Sequence, residues 1–160
     1  MRSFLKGFGY AFSGIIHCIK NERNMRIHTV AALYVLIFAR FFAFSRTEYA
    51  VLLLTIGGVL AAEAINTAVE NLADRLTKQN DPLIKAAKDA AAGAVLILAV
   101  FSVGIAVFLF GNIEGIMTMY NFYISHPLNL SGIILLAVLS VLFIVKGPAG
   151  IIEKNKKTEE

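Results

Sequence analysis

Apolar residues in the first twenty positions recur at intervals of three and four residues, which is the spacing of one face of an α-helix. They are Phe4, Phe8, Ala11, Phe12, Ile15, Ile16 and Ile19, while Arg2, Lys6 and Lys20 fall elsewhere on the helical wheel. The pattern predicts a basic amphipathic helix over residues 2–21 that lies in a membrane interface. Packing of the same apolar face against other helices of the protein is the alternative.

Four longer apolar runs follow, and each approaches the roughly 20 residues that a helix needs to cross about 30 Å of hydrocarbon. They extend approximately from Ile27 to Phe44, from Tyr49 to Val69, from Ala90 to Ile113 and from Leu128 to Val145. Lys146-Gly147-Pro148 should end the last helix, because Gly and Pro do not readily continue one. We therefore predict an all-α membrane protein with a surface helix and four transmembrane helices.

The composition supports the membrane class. Hydrophobic residues make up 58% of the 160 residues and charged residues 16%, which is too apolar for a soluble domain of this size. The chain has one cysteine, Cys18, so no disulfide framework is expected and an inert apolar role is favoured for this thiol.

Basic residues are distributed unequally between the predicted loops. Thirteen of the 15 lysines and arginines fall at the two termini or in the loops on the same side, and only Arg40 and Arg46 fall on the other side. By the positive-inside rule, both termini and the loop from Asp74 to Asp89 are cytoplasmic. The connection 111–129, which is aromatic and short of charge, should rest on the outer interface.

A stripe of polar residues lies near the cytoplasmic end of the second apolar run. It consists of Glu63, Asn66, Glu70 and Asp74, which lie within roughly 80° of one another on a helix. Ionisable groups inside a membrane are costly and mark a functional site by default. For Glu70 and Asp74 alone, the alternative is the solvated end of a helix that has already left the bilayer.

The cytoplasmic loop brings further charges to the same depth. Asp81 and Pro82 predict the N-cap and first turn of a new helix, which carries Lys88 and Asp89 into the third apolar run. Carboxylates that hold magnesium and a cation that balances phosphate charge are what phosphoryl transfer requires. Snorkelling of Lys88, with Asp89 as a helix cap, is the alternative for this pair.

Several classes of site are not supported. The chain has no glycine-rich phosphate loop and no kinase catalytic-loop pattern. The three histidines are far apart in the sequence and do not have the spacing of a zinc site. No nucleic-acid partner is expected.

Two motifs identify a family. The run Glu63-Ala-Ile-Asn-Thr-Ala-Val-Glu-Asn-Leu-Ala-Asp-Arg75 and the later Lys88-Asp-Ala-Ala-Ala-Gly-Ala-Val-Leu-Ile closely resemble the small prokaryotic integral-membrane diacylglycerol kinase and undecaprenol kinase family. The resemblance covers roughly residues 3–110. It implies a surface helix and three membrane helices that assemble into a homotrimer in the bacterial inner (plasma) membrane. It also implies active sites on the cytoplasmic side at subunit boundaries, where the γ-phosphate of ATP passes to a lipid hydroxyl.

The resemblance also implies roles for single residues. Glu63 matches the general base, with Asn66 helping to orient it, and Glu22 and Glu70 match acids that bind magnesium ions on the ATP phosphates. Further residues match contacts of the nucleotide or supporting positions: Tyr10, Gln79, Asn80, Asp81, Lys88 and Asp89 at the nucleotide, with Asp74 and Arg26 in support.

Two departures from the family pattern affect the prediction. His28 stands where some members have an acid, which favours the undecaprenol kinase branch. Residues 111–160, with the fourth apolar run, have no counterpart in the family's three-helix core at residues 1–110. We predict an ATP- and magnesium-dependent undecaprenol kinase, with diacylglycerol as the alternative substrate. An ion-coupled transporter subunit is the alternative from another class, because intramembrane acids also serve as ion relays; a non-catalytic scaffold is disfavoured, because every motif position is intact.

Overall fold

The computed structural model describes residues 2–77 and 81–156, and every regular element in that part of the chain is an α-helix. The helices are α1 Arg2–Asn21, α2 Arg23–Ala39, α3 Arg46–Leu76, α4 Pro82–Phe110, α5 Ile113–Ser125 and α6 Pro127–Lys156. The prediction of an all-α fold with an N-terminal helix over residues 2–21 is therefore confirmed.

Three of the predicted membrane helices have the required length and composition. These are α3, α4 and the part of α6 from Pro127 to Pro148. The first predicted span is represented by α2, which has 17 residues and a length of about 25 Å. Its crossing of the membrane stays a prediction. It begins earlier than the apolar run and ends at Ala39, where a turn replaces the predicted helix up to Phe44.

Local capping residues determine where the helices begin. Ser45 and Glu48 form a reciprocal capping box at the start of α3, which satisfies backbone N–H groups that have no partner within the helix. The carboxylate of Asp81 accepts hydrogen bonds from the backbone N–H groups of Leu83 and Ile84, so the predicted N-cap of α4 is confirmed. At the other end, α4 stops at Phe110, three residues before the predicted boundary.

The connection 111–129 contains a helix that the pattern did not predict. Asn112 caps α5, and its side chain accepts a hydrogen bond from the backbone N–H of Glu114. Aromatic contacts join α5 to the turn after α2, where the ring of Phe41 lies 5.2 Å from that of Phe122. A Cβ atom on Gly115 would lie 2.3 Å from the ring of Phe42, so the close approach of α5 depends on this glycine.

The helices pack in one main hairpin with additions on one side. Helices α3 and α4 form the most extensive contact, α2 packs against both α3 and α6, and the end of α1 contacts α2 and α6. Most of α4 and α6 is exposed in the single chain. The apolar face of α1 is also exposed up to Cys18, with Phe4 at 70%. These faces are available to lipid or to further copies of the chain.

Candidate active site

The polar stripe on α3 changes from buried to exposed along the helix. Glu63 is 2% exposed and Asn66 is 6% exposed. Glu70 is half-buried and Asp74 is exposed. Asp74 therefore fits the alternative of a solvated helix end, whereas Glu63 lies among packed helices. A carboxylate with so little solvent contact is costly unless charge, hydrogen bonds or a ligand compensates for its burial.

Asn66 connects the buried and half-buried parts of the stripe. Its side-chain N–H group donates to the Glu70 carboxylate at 3.1 Å. The amide oxygen of Asn66 and the hydroxyl of Thr67 are buried without a hydrogen-bond partner in the described residues. Buried polar groups are rarely left unpaired, so these two atoms indicate a surface that a substrate, water or another subunit completes.

Thr67 is a candidate site residue that the motif analysis missed. It is 2% exposed and follows Glu63 by four residues, so both side chains lie on one face of α3. The spacing could have revealed it. Threonine is not ionisable, however, and its hydroxyl commonly bonds to its own helix backbone, so the residue type alone gives no functional signal.

Glu22 approaches the stripe from a different part of the chain. It is the single residue between α1 and α2, where it occupies the N-cap of α2 with φ −102° and ψ 122°. Both α1 and α2 contact α3, the helix that carries Glu63 and Glu70. Glu22 therefore lies at the junction of helices that pack against the polar stripe.

Two ion pairs lie where α3 ends and α4 begins. Lys88 contacts Asp74 with a distance of 2.8 Å between Nζ and Oδ1, and Lys85 contacts Asp89 at 2.6 Å. The predicted approach of Lys88 to α3 across the loop is confirmed, whereas Asp89 pairs with Lys85. Both pairs are partly or largely exposed, so they contribute little to stability. Nucleotide phosphates could reach these side chains.

Other matched residues are placed less directly. Tyr10 is 76% exposed on α1, and the twelve residues that separate it from Glu22 correspond to about 18 Å along a helix. The single chain does not bring it to the carboxylates. Gln79 and Asn80 lie outside the described residues, so their predicted approach to the nucleotide stays a prediction.

The carboxylates fit a magnesium ion that arrives with a nucleotide. Among the residues that the structure describes, no group of three or more His, Cys, Asp or Glu side chains could hold a metal alone. Magnesium in phosphoryl-transfer sites is usually held by one or two carboxylates together with substrate phosphates and water. Glu22 at the N-cap of α2 and Glu70 on α3 are candidates for such carboxylates.

An apolar cavity of about 230 Å³ lies between α2, α3 and α4. It is lined by aliphatic side chains of the three helices, by Ser102 and Thr55, and by His28. Val59 and Leu60 also line it, and they precede Glu63 by four and three residues. The cavity therefore ends about one helical turn from the buried carboxylate, and His28 faces apolar surroundings there.

Comparison with known proteins shows the family to which the chain is similar. The family model of prokaryotic diacylglycerol kinase matches residues 9–110. An undecaprenol kinase of Bacillus subtilis is 42% identical over 111 residues, which cover 68% of this chain and 90% of that protein. A diacylglycerol kinase of a Synechocystis species is 38% identical over 102 residues, which cover 63% of this chain and 58% of that protein. Helices α5 and α6 lie beyond the residues that the family model matches.

Proposed function

This chain belongs to the prokaryotic diacylglycerol kinase family, and we propose that it transfers the γ-phosphate of ATP to undecaprenol and forms undecaprenyl phosphate. The chain is a lipid kinase and an integral membrane protein. The observation that carries the proposed chemistry is the position of Glu63, which is buried on α3 about one helical turn beyond the apolar cavity and on the same helix face as Glu70.

Glu63 is the proposed general base. The hydroxyl-bearing end of the prenyl chain lies in the apolar cavity, and its hydroxyl points towards Glu63. As the carboxylate accepts the hydroxyl proton, the hydroxyl oxygen forms a bond to the γ-phosphorus, the bond to the β–γ bridging oxygen breaks, and ADP leaves. General bases contribute typically 10²–10⁴-fold to a rate. Glu63 and Glu70 lie on one side of α3 because seven residues separate them, and Asn66 orients the Glu70 carboxylate by its amide N–H group.

Glu22 and Glu70 would hold Mg²⁺ together with the ATP phosphates. The ion supplies neutralisation of phosphate charge, which is the main requirement of phosphoryl transfer. Lys88 adds a positive charge next to Asp74, and the proposed contacts from α4 are Asp89 and the N-cap residue Asp81. These groups position the phosphates in line with the lipid hydroxyl. We place this site and both termini on the cytoplasmic side, in agreement with the distribution of basic residues.

The substrate assignment rests on two observations. The relative with 42% identity is named as an undecaprenol kinase and the one with 38% identity as a diacylglycerol kinase. In addition, His28 lines an apolar cavity where an acid would place a negative charge. We therefore propose undecaprenol before diacylglycerol.

We further propose that the active enzyme is a homotrimer with sites shared between subunits. The unpaired Asn66 oxygen and Thr67 hydroxyl, the exposed faces of α4 and the distance of Tyr10 from the carboxylates all favour completion of the site by a neighbouring subunit. The native mass of the solubilised protein tests this assembly. A fully active monomer or dimer would contradict it.

The assay that tests the function follows phosphate from γ-labelled ATP and Mg²⁺ into undecaprenol and diacylglycerol in parallel. Glu63→Gln should lower the rate of phosphate transfer by about 10²–10⁴-fold. Glu114→Gln makes the same chemical change at an exposed position of α5 and should leave the rate unchanged. Preferential labelling of diacylglycerol would reassign the substrate. Unchanged transfer in Glu63→Gln would reject Glu63 as the base, and transfer to neither lipid by a folded trimer would reject the proposed reaction.

A further inference from the structure

Arg26 is a buried arginine that joins the kinase core to the additional helix α6. It is 7% exposed, and its guanidinium group donates to the backbone oxygens of Ile19 at 3.3 Å, Lys20 at 3.0 Å and Ile144 at 3.2 Å. The first two oxygens belong to the last turn of α1. The third belongs to the last turn of α6 before its kink. Helix ends leave such carbonyl groups without partners within the helix, and a buried arginine satisfies them with both charge and geometry.

Gly147 allows this contact. It interrupts α6 with φ 65° and ψ 170°, a conformation that is readily available only to glycine. A Cβ atom at this position would lie 3.2 Å from Nη1 of Arg26 and 3.6 Å from the Lys20 oxygen. The helix was expected to end at Lys146-Gly147-Pro148, but α6 only kinks at Gly147 and continues to Lys156. This kink is also the point where α6 meets the end of α1.

Arg26 also bridges the junction of α1 and α2 at Glu22. We call this junction, from Cys18 to Arg26, the α1–α2 elbow. The backbone N–H of Glu22 donates to the oxygen of Cys18 at 2.8 Å, and the N–H of Arg26 donates to the oxygen of Glu22 at 3.3 Å. Arg26 lies in the first turn of α2, and its side chain contacts the last turn of α1. It therefore fixes the angle between α1 and α2 at Glu22. A second contact, between the hydroxyls of Tyr34 and Ser140 at 3.3 Å, holds α6 against α2 at a greater depth.

We propose that α6 holds the α1–α2 elbow in the geometry that presents Glu22 to the carboxylates of α3, with Arg26 and Gly147 as positioning residues. The proposal rests on the proposed role of Glu22 in binding magnesium with ATP. It gives residues beyond the family match a function within the catalytic unit, and it predicts that disturbance of the end of α6 affects the nucleotide site in preference to the lipid site.

The first test needs neither magnesium nor catalysis. Cys18 is the only cysteine of the chain, is 7% exposed and lies at the end of α1 next to the elbow. Its rate of maleimide labelling in the solubilised full-length protein reports whether this end stays docked. Gly147→Val should increase the rate at least about threefold, because local opening exposes the thiol. Gly132→Val is the matched control, since a Cβ atom at Gly132 of α6 meets nothing within 4 Å, and it should label like wild type.

The second test separates positioning from general loss of structure. Gly147→Val should raise the KM for Mg²⁺-ATP by roughly tenfold and leave the KM for the lipid unchanged. Arg26→Lys retains one charged donor and should recover part of what Arg26→Gln loses. If Gly147→Val aggregates, Gly147→Ala provides a smaller perturbation. It adds only the Cβ atom, which would still lie 3.2 Å from Nη1 of Arg26.

The outcomes distinguish this proposal from the proposed reaction. Equal labelling of Cys18 in Gly147→Val and Gly132→Val, or a lower kcat with every KM unchanged, would overturn the role of α6. Failure of the wild type to phosphorylate any lipid would overturn the proposed reaction. It would also overturn the proposed role of Glu22 in binding magnesium with ATP. Faster labelling in Gly147→Val would then still establish that α6 holds the elbow.

Discussion

Replacement of Thr67 by valine tests whether the assembled enzyme completes the buried surface of α3. Thr67 is 2% exposed, and its hydroxyl has no partner in the described residues. Valine has almost the same shape, so the substitution removes the hydroxyl without opening a cavity. A buried hydroxyl without a partner costs about 1–3 kcal/mol, whereas a paired one contributes about 0.5–1.5 kcal/mol.

We expect pairing, because Thr67 lies one turn from Glu63 on the face where substrate and neighbouring subunit are proposed to meet. Loss of 0.5–1.5 kcal/mol in the transition state corresponds to a decrease in kcat/KM of roughly 2- to 12-fold. Thr67→Ser keeps the hydroxyl and should retain most of the activity. The assay is phosphate transfer to undecaprenol by the purified protein, together with its melting temperature. Wild-type kinetics and a higher melting temperature in Thr67→Val would show that the hydroxyl is unpaired in the working enzyme, and would refute the reasoning.

Three further predictions concern single interactions. Lys88→Met should raise the KM for ATP by about tenfold. Asp74→Asn removes the exposed partner of Lys88 and should leave the melting temperature within about 2 °C of wild type. A large loss of stability in either variant would mean that the ion pair is structural. Gly115→Ala should destabilise the protein by about 1–3 kcal/mol, measured as a lower melting temperature, because its Cβ atom would overlap the ring of Phe42, and an unchanged melting temperature would argue against the close packing of α5. Asp81→Ala should cost about 0.5–2 kcal/mol through loss of the α4 cap, with Asp81→Asn as the conservative control, and equal stability of the two variants would show that the cap is dispensable.

Features encoded over short stretches of sequence were predictable. Amphipathic spacing identified α1, apolar length identified α3, α4 and α6, and Asp81 identified the start of α4. The predicted helix ends were less accurate, because hydropathy shows where an apolar run stops and a helix can continue beyond that point. Helix α3 continues to Leu76, and its last two turns carry Glu70 and Asp74 into the polar region.

Features that depend on distant partners were not predictable. The contact between Arg26 and the Ile144 oxygen joins residues 118 positions apart, and no local pattern indicates it. The motif placed Lys88 and Asp89 together, but adjacent residues on a helix point about 100° apart, so their ion-pair partners are different. Helix α5 was missed because its aromatic composition, with Glu114 as its one charged residue, is also typical of an interfacial loop.

The arrangement of the carboxylates leads to a prediction about which subunits build each site. Glu22 is the N-cap of α2, which packs against the Glu63-bearing α3 within one chain, so Glu22 and Glu63 should serve the same site from the same subunit. Glu22→Gln and Glu63→Gln subunits, mixed in equal amounts and reassembled, should therefore remain inactive, because each site in a mixed trimer contains one of the two defects. If the two glutamates came from neighbouring subunits, random assembly around a threefold axis would restore about one quarter of the sites. The phosphate-transfer rate of the mixture decides between the arrangements, with reassembled wild-type subunits as the control, and recovery near one quarter would contradict the geometry of the single chain.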